Sequence, residues 1–189
     1  NHMSERSEAA PDLVVSNHSY GRVAGGRYNS DRSGTASDPN WEWLGDINVS
    51  ETEDYKFGYY DEAAALWDMI AYHSPYYLIV KSSGNNRSSN GPGVGQRYLR
   101  LNATGNWESV LRGSGMSNND AYNTIPTYGN AKNILSIGAV SAIPAGYKKP
   151  SDVAMSSFSS WGPTDDGRLK PDVVGNGVSL YSASSSGNA

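Results

Sequence analysis

Three apolar-rich runs and one helical pattern predict a mixed α/β fold. The stretches Leu13–Ser19, Tyr77–Lys81 and Asn133–Val140 have the length and apolar content of buried strands. Between the first two, apolar side chains recur at helical spacing over Asp61–Tyr72, and acidic residues at the start favour the helix N-terminus. A strand, a helix and a second strand in this order predict a parallel pair with a right-handed crossover. We therefore expect the three strands in one mainly parallel sheet, with the helix on one face.

The rest of the chain is richer in Gly, Asn, Ser and Asp and predicts loops with few regular elements. We interpret residues 1–189 as one incomplete domain in which 22–50 and 87–117 are loop-rich insertions. The short elements expected outside the three strands and the main helix are a helix at Met3–Ala10, a strand at Tyr98–Leu101, a helix at Trp107–Arg112, and strand pieces at Pro171–Val174 and Val178–Ser182.

Composition narrows the classes of function. The 189 residues suffice for one domain with a core. Fifteen basic and nineteen acidic residues give a net charge of -4, which argues against nucleic acid as a partner. The absence of Cys excludes disulfides and cysteine-based metal sites, and no apolar run approaches the ~18 residues of a membrane span. The weakly charged composition, rich in Gly, Ser, Asn and Tyr, favours an extracellular or cell-surface protein.

Candidate chemistry lies where the strand at Tyr77–Lys81 breaks into Ser-Ser-Gly-Asn-Asn. In open α/β sheets, ligands bind at the carboxyl ends of the strands. The amide of Asn85 carries two N–H donors, which suit a developing oxyanion. A polar turn after a strand explains the same residues. On this stretch alone, both interpretations stay open.

Four stretches in order resemble the subtilisin-like serine peptidases over roughly Pro11–Ser182. They are Leu13-Val-Val-Ser-Asn-His-Ser-Tyr-Gly21, Val80-Lys-Ser-Ser-Gly-Asn85, Lys132-Asn-Ile-Leu-Ser-Ile-Gly-Ala-Val140, and Phe158-Ser-Ser-Trp-Gly-Pro-Thr-Asp-Asp-Gly-Arg-Leu-Lys-Pro-Asp172. The fourth is the most specific of them. The resemblance implies a three-layer α/β fold with a mainly parallel central sheet, of which this chain holds a part.

The resemblance also implies site residues. Asn85 matches the asparagine of the family's oxyanion hole. The residues matched to the walls that hold an extended peptide substrate are Ser19, Tyr20 and Gly21 on one side and Ser82, Ser83 and Gly84 on the other. An unpaired strand edge offers N–H and C=O groups to any extended chain, which gives this role a physical basis.

A calcium site is implied only weakly. In some relatives an aspartate equivalent to Asp172 binds calcium together with carbonyls at positions like Lys132 and Ile134. One carboxylate with carbonyl oxygens is a plausible oxygen site. A structural role for Asp172, capping the turn after Pro171, is an equal alternative. The chemistry that the resemblance implies requires no cofactor.

The family's catalytic Asp, His and Ser are missing. Neither Asp-Thr/Ser-Gly nor His-Gly-Thr-His occurs, and the nucleophile motif Gly-Thr-Ser-Met-Ala is expected beyond Ala189. His2, His18 and His73 lie in positions that favour structural or surface roles. We therefore expect the fragment alone to be inactive.

Three hypotheses remain. The first is the internal part of a subtilisin-like endopeptidase, whose partners would be peptide substrates and the remaining segments of the same peptidase. The second is an inactive module that binds peptides, and the third is a purely structural domain.

Overall fold

The computed structural model describes residues 13–89, 91–116 and 122–181 and places most of them around two four-stranded sheets. In chain order the elements are β1 (Val15–His18), β2 (Gly26–Tyr28), β3 (Trp41–Trp43), α1 (Glu62–His73), β4 (Leu78–Ser82), β5 (Arg97–Leu101), β6 (Trp107–Leu111), β7 (Leu135–Val140) and β8 (Val173–Asn176). Two short 3₁₀ turns lie at Thr127–Asn130 and Pro150–Asp152.

The first sheet has the order β1-β4-β7-β8, and all of its neighbouring strands are parallel. Val80 lies in register with Asn17 on one side and Leu135 on the other, so β4 is a central strand. The prediction of an α/β fold whose three apolar strands share a parallel sheet is therefore confirmed.

Helix α1 begins where the sequence predicts. The carboxylate of Asp61 caps it by accepting the N–H of Ala64 at 2.8 Å. Ala64 and Trp67 are buried against Tyr77 and Ile79, in the main apolar core beside the sheet. Burial of these side chains supplies most of the force that holds the helix in place, because packing outweighs intrinsic helix propensity.

The side chain of Asp68 ties α1 to the segment that leads into β7. Its carboxylate accepts the N–H of Lys132 at 2.8 Å and the N–H of Asn133 at 2.6 Å, together with the hydroxyl of Tyr60 at 2.7 Å. A buried carboxylate needs such donors, because leaving it unpaired costs several kcal/mol. The helix thus fixes the position at which β7 enters the sheet.

The second sheet changes the interpretation of the two loop-rich stretches. Residues 22–50 carry β2 and β3, residues 87–117 carry β5 and β6, and β3 pairs with β5 in parallel. The helix expected at Trp107–Arg112 is wrong, because this segment is strand β6, antiparallel to β5. A cross-strand ion pair between Arg100 and Glu108, 2.8 Å apart, stabilises the extended form.

The remaining predicted elements, near the ends of the chain, differ less from the structure or lie outside the described residues. Strand β8 covers Val173–Asn176, two residues beyond the predicted Pro171–Val174. Residues 178–181 form no strand, against the prediction for Val178–Ser182, and Ser182 lies outside the described residues. The predicted helix at Met3–Ala10 also lies outside them.

One face of the parallel sheet carries exposed apolar side chains. Val15 is 50% exposed, Leu78 is 41% exposed and Val173 is 46% exposed. Val15 and Leu78 are direct partners in the register, and the alternation of side chains along β4 puts them on the face opposite Ile79 and α1. Within the part of the chain that the structure describes, no helix has the length and apolarity to cross a membrane.

This apolar face leads us to expect self-association of the chain. Burial of each large apolar side chain contributes roughly 1.5–3 kcal/mol, so covering several of them favours contact with a second copy. The double variant Val15→Thr/Leu78→Thr should lower the apparent mass measured by light scattering at a given concentration. Val94→Thr, which removes an exposed apolar side chain outside this sheet, should leave the mass unchanged. A wild-type chain that is strictly monomeric, with a sharp two-state melt, would contradict the expectation.

Candidate functional site

The candidate site lies at the carboxyl edge of the parallel sheet, where β4 runs into Ser82–Asn86. Two cavities meet at this loop. The sheet cavity, of about 230 Å³, is lined on the sheet side by Asn17, Val80, Ile137 and Gly175. The edge cavity, of about 210 Å³, lies between residues 19–23 and 81–86. The residues common to both cavities are Ser19, Ser82, Gly84 and Asn85.

Asn85 lies at the junction of the two cavities with its amide available. The residue is exposed, and its side chain makes no hydrogen bond with any other described residue. Both N–H donors of the amide are therefore free to bind a ligand oxygen. A side chain that served only to stabilise a turn would instead bond to nearby backbone groups.

Gly84 allows the loop to make its turn. Its φ is +109°, a conformation that L side chains rarely adopt. A Cβ at this position would lie 3.1 Å from Oδ1 of Asn86 and 3.2 Å from both Cδ of Pro126 and Oγ of Ser160. The positive φ, together with these close contacts, explains the glycine directly before Asn85.

Ser160 holds this loop from the other side. Its N–H donates to the carbonyl of Gly84 at 2.9 Å, and its Oγ accepts the N–H of Asn86 at 3.0 Å. The two bonds flank Asn85, one on each side. Ser160 is fully buried, so its end of both bonds is shielded from water, and a hydrogen bond in such surroundings contributes more than one at an exposed site.

The following residue, Arg87, extends the same contact. Its Nε donates to the carbonyl of Ser157 at 3.1 Å, its Nη2 donates to that of Ser156 at 2.7 Å, and its guanidinium lies 4.1 Å from the ring centroid of Trp161. We call the bonds from residues 156–161 to Gly84, Asn86 and Arg87 the Ser160 brace. The sequence marked Phe158–Pro163 as a motif without assigning it a role, and nothing in the sequence singled out Arg87.

The segment Ser19–Gly21 lines the edge cavity on the side opposite β4. All three residues are exposed. Beyond the end of β1, no backbone–backbone hydrogen bond joins Gly21, Arg22 or Val23 to another described residue. Their N–H and C=O groups form an open edge that an extended peptide can pair with.

Residues 82–84, at the end of β4, line the two cavities differently. Ser82 and Gly84 face both of them, whereas Ser83 lines only the sheet cavity and is buried. The Oγ of Ser83 lies 3.3 Å from the Oγ of Ser159, and its N–H donates to the carbonyl of Ile137 at 2.9 Å. The structure thus brings Ser82, Gly84 and Asn85 together with Ser19–Gly21, and it gives Ser83 a packing position.

The carboxylate predicted to bind calcium already has two hydrogen-bond partners. The carboxylate of Asp172 accepts the N–H of Ser136 and the ammonium of Lys170, both at 2.7 Å. The ammonium would repel a second cation, so the arrangement favours the structural alternative for Asp172. Among the described residues, no group of three or more His, Cys, Asp or Glu side chains could hold a metal. A calcium site with the carbonyls of Lys132 and Ile134 stays a prediction.

His18 has a structural environment. It is buried, its Nε2 lies 2.6 Å from Oγ of Ser16, and its Nδ1 lies 2.8 Å from the hydroxyl of Tyr20. Its ring packs edge-on against Trp67 of α1. This position agrees with the packing role expected for it, and the bond to Tyr20 helps to hold the wall of the edge cavity. His73 lies exposed at the end of α1.

Lys81 is the functional candidate that the sequence reasoning missed. The residue is 4% exposed, and its Nζ donates to the carbonyl of Ser82 at 2.7 Å and to the Oγ of Ser82 at 3.1 Å. Burial lowers the pKa of Lys81 from 10.5 to about 8. A lysine inside an apolar-rich strand was the signal available in the sequence.

The lowered pKa of Lys81 predicts a pH-dependent stability. Between pH 8 and 10.5 the unfolded chain holds a proton that the folded chain has lost, so the free energy of unfolding rises with pH. At pH 7 the folded chain carries a buried charge, so Lys81→Met should be the more stable protein. Its advantage should shrink by about 2–3 kcal/mol between pH 7 and pH 10.

Urea unfolding at the two pH values measures this change. Lys148→Met, at an exposed lysine, should show no comparable shift. A stability difference for Lys81→Met that is equal at both pH values would contradict the burial of a charged lysine.

Comparison with known proteins identifies the family of this chain. No match was found among curated proteins. The model of the Subtilase family matches residues 3–189, nearly the whole chain. The match agrees with the parallel sheet and with the order of the four motifs along the chain. The chain therefore belongs to the subtilase family.

Proposed function

We propose that this chain forms part of a secreted subtilisin-like serine endopeptidase, in which Asn85 stabilises the oxyanion. The observation that carries the proposal is the free amide of Asn85 at the junction of the two cavities. Hydrogen bonds to Ser160 on both sides of this residue hold the backbone from which the Asn85 amide projects, so the loop is in place before substrate arrives. Such preorganised donors are the main source of transition-state stabilisation in acyl transfer.

Substrate binding follows from the open backbone edge. An extended peptide pairs with Gly21–Val23, which places one of its side chains in the edge cavity and the carbonyl after that residue near Asn85. The oxygen of this carbonyl gains negative charge as a nucleophile attacks. The Asn85 amide binds the charged oxygen more strongly than the neutral one, and this difference accelerates the reaction.

The nucleophile and its base come from segments other than those described. His18 is buried, packs against Trp67, and has its ring nitrogens within hydrogen-bond distance of the hydroxyls of Ser16 and Tyr20. The sheet cavity reaches Asn85 along the exposed apolar face, which offers a packing surface for a segment that bears a serine. This supports the expectation that the 189-residue chain alone cleaves no peptide.

An inactive module that binds peptides is the second candidate. The open edge at Gly21–Val23 would serve either function. The two candidates differ in whether a natural chain that contains these residues turns over a peptide.

We expect Asn85→Ala to lower kcat about 100- to 1000-fold in the longest natural chain that contains these residues, with little change in KM. This magnitude is the one known for the oxyanion-hole asparagine of subtilisin itself. Steady-state hydrolysis of a peptide amide measures it. Asn106→Ala is the matched control, since this asparagine is exposed in the turn between β5 and β6.

Two outcomes would decide against the proposal. Equal kcat values for the wild type and Asn85→Ala would exclude the oxyanion role. Tight peptide binding without any turnover in the wild type would select the inactive binding module.

A further inference from the structure

The edge cavity contains a buried cation. Its lining combines the exposed segment Ser19–Val23 with the end of β4, and Lys81 contributes to the wall. The Nζ of Lys81 lies about 4.0 Å from the position that a Cβ on Gly21 would occupy. The ammonium therefore sits beside the backbone edge along which an extended peptide is expected to lie.

Lys81 has no anionic partner among the described residues. Both of its hydrogen bonds go to neutral oxygens of Ser82, which leaves the third N–H of the ammonium without a protein acceptor in that part of the chain. Desolvation is the cause of its lowered pKa, with no opposing contribution from a carboxylate. A cation that is buried without a counter-charge is costly, and an anion supplied by a ligand would offset this cost.

The charged residues that line the cavity have one sign. The cationic residues of its lining are Lys81 and Arg22, and the described lining contains no Asp or Glu. Arg22 pairs only distantly with Asp61, at 3.8 Å, and most of its side chain is exposed. The whole chain has a net charge of -4, whereas the lining of this cavity carries two positive charges. Low-dielectric walls strengthen the attraction of such a cavity for an anion.

We propose that Lys81 makes the edge cavity selective for an acidic side chain, so that the substrate is a peptide with Asp or Glu directly before the bond that is cleaved. This inference rests on the proposed function, because that function places a peptide along Gly21–Val23. The carboxylate accepts the third N–H of Lys81, and Arg22 at the rim adds a second positive charge. A cavity of about 210 Å³ accommodates a side chain of this size.

Peptide binding by the 189-residue chain tests the inference independently of turnover. The two peptides are identical except at the residue expected to enter the edge cavity, which is Glu in one and Gln in the other. Both are acetylated at the N-terminus and amidated at the C-terminus, so the Glu side chain is the only carboxylate. Isothermal titration should show that wild type binds the Glu peptide about 10-fold or more tightly than the Gln peptide, the gain typical of a hydrogen bond to a charged group.

Variants identify the residue responsible. Lys81→Met should remove the preference, and its fold is not at risk, because the substitution replaces a buried charge with an apolar side chain. Lys148→Met, whose lysine lies outside the lining of the edge cavity, should retain the preference. Circular dichroism of each variant confirms that the compared proteins are folded.

Each outcome has a separate meaning. If wild type binds both peptides equally, the selectivity is refuted while peptide recognition at the edge stands. If the preference persists in Lys81→Met, the assignment to Lys81 is refuted. If folded wild type binds neither peptide, recognition along Gly21–Val23 fails, and the proposed function fails with it.

Discussion

The hydrogen bonds of Ser160 to both sides of Asn85 are the constraint on which the candidate site depends. No hydrogen bond from another described residue holds the Asn85 amide in place, so the position of its backbone is set through Gly84 and Asn86. These two residues are fixed by a buried serine that lies more than seventy positions further along the chain. A short polar loop is thereby tied to the buried core, as the oxyanion role proposed for Asn85 requires.

Strand β4 connects the apolar core to the loop that Ser160 holds. The face of β4 that contains Ile79 packs under α1, whereas its end enters the loop held by the Ser160 brace. Lys81 stands between the two, because it is buried and is also the first residue of β4 that lines the edge cavity. Its unusual environment results from this place in the strand, where burial ends and ligand access begins.

The sequence predicted the elements whose pattern is strongly periodic. Strands β1, β4 and β7 and helix α1 were found within two residues, because buried strands and an amphipathic helix leave distinct apolar patterns. Strand β6 was missed, since Trp107–Leu111 is half exposed and depends on pairing with β5 for its extended form. The second sheet joins stretches more than fifty residues apart, and no local pattern encodes such pairing.

For the site, the motif located Asn85 and its two walls, but not the residues that hold them. Arg87 and Ser160 act through contacts across some seventy positions, which a single sequence does not show.

Amide hydrogen exchange at Asn86 measures whether Ser160 holds the loop around Asn85. In Ser160→Ala the N–H of Asn86 loses its acceptor, so its exchange should accelerate roughly 5- to 10-fold, as expected for the loss of one hydrogen bond. The N–H of Ser83, bonded to Ile137, should remain protected, and Ser157→Ala, whose carbonyl rather than hydroxyl contacts Arg87, should behave as wild type. Unchanged exchange at Asn86 in Ser160→Ala would show that the loop is held by other means and would contradict the account.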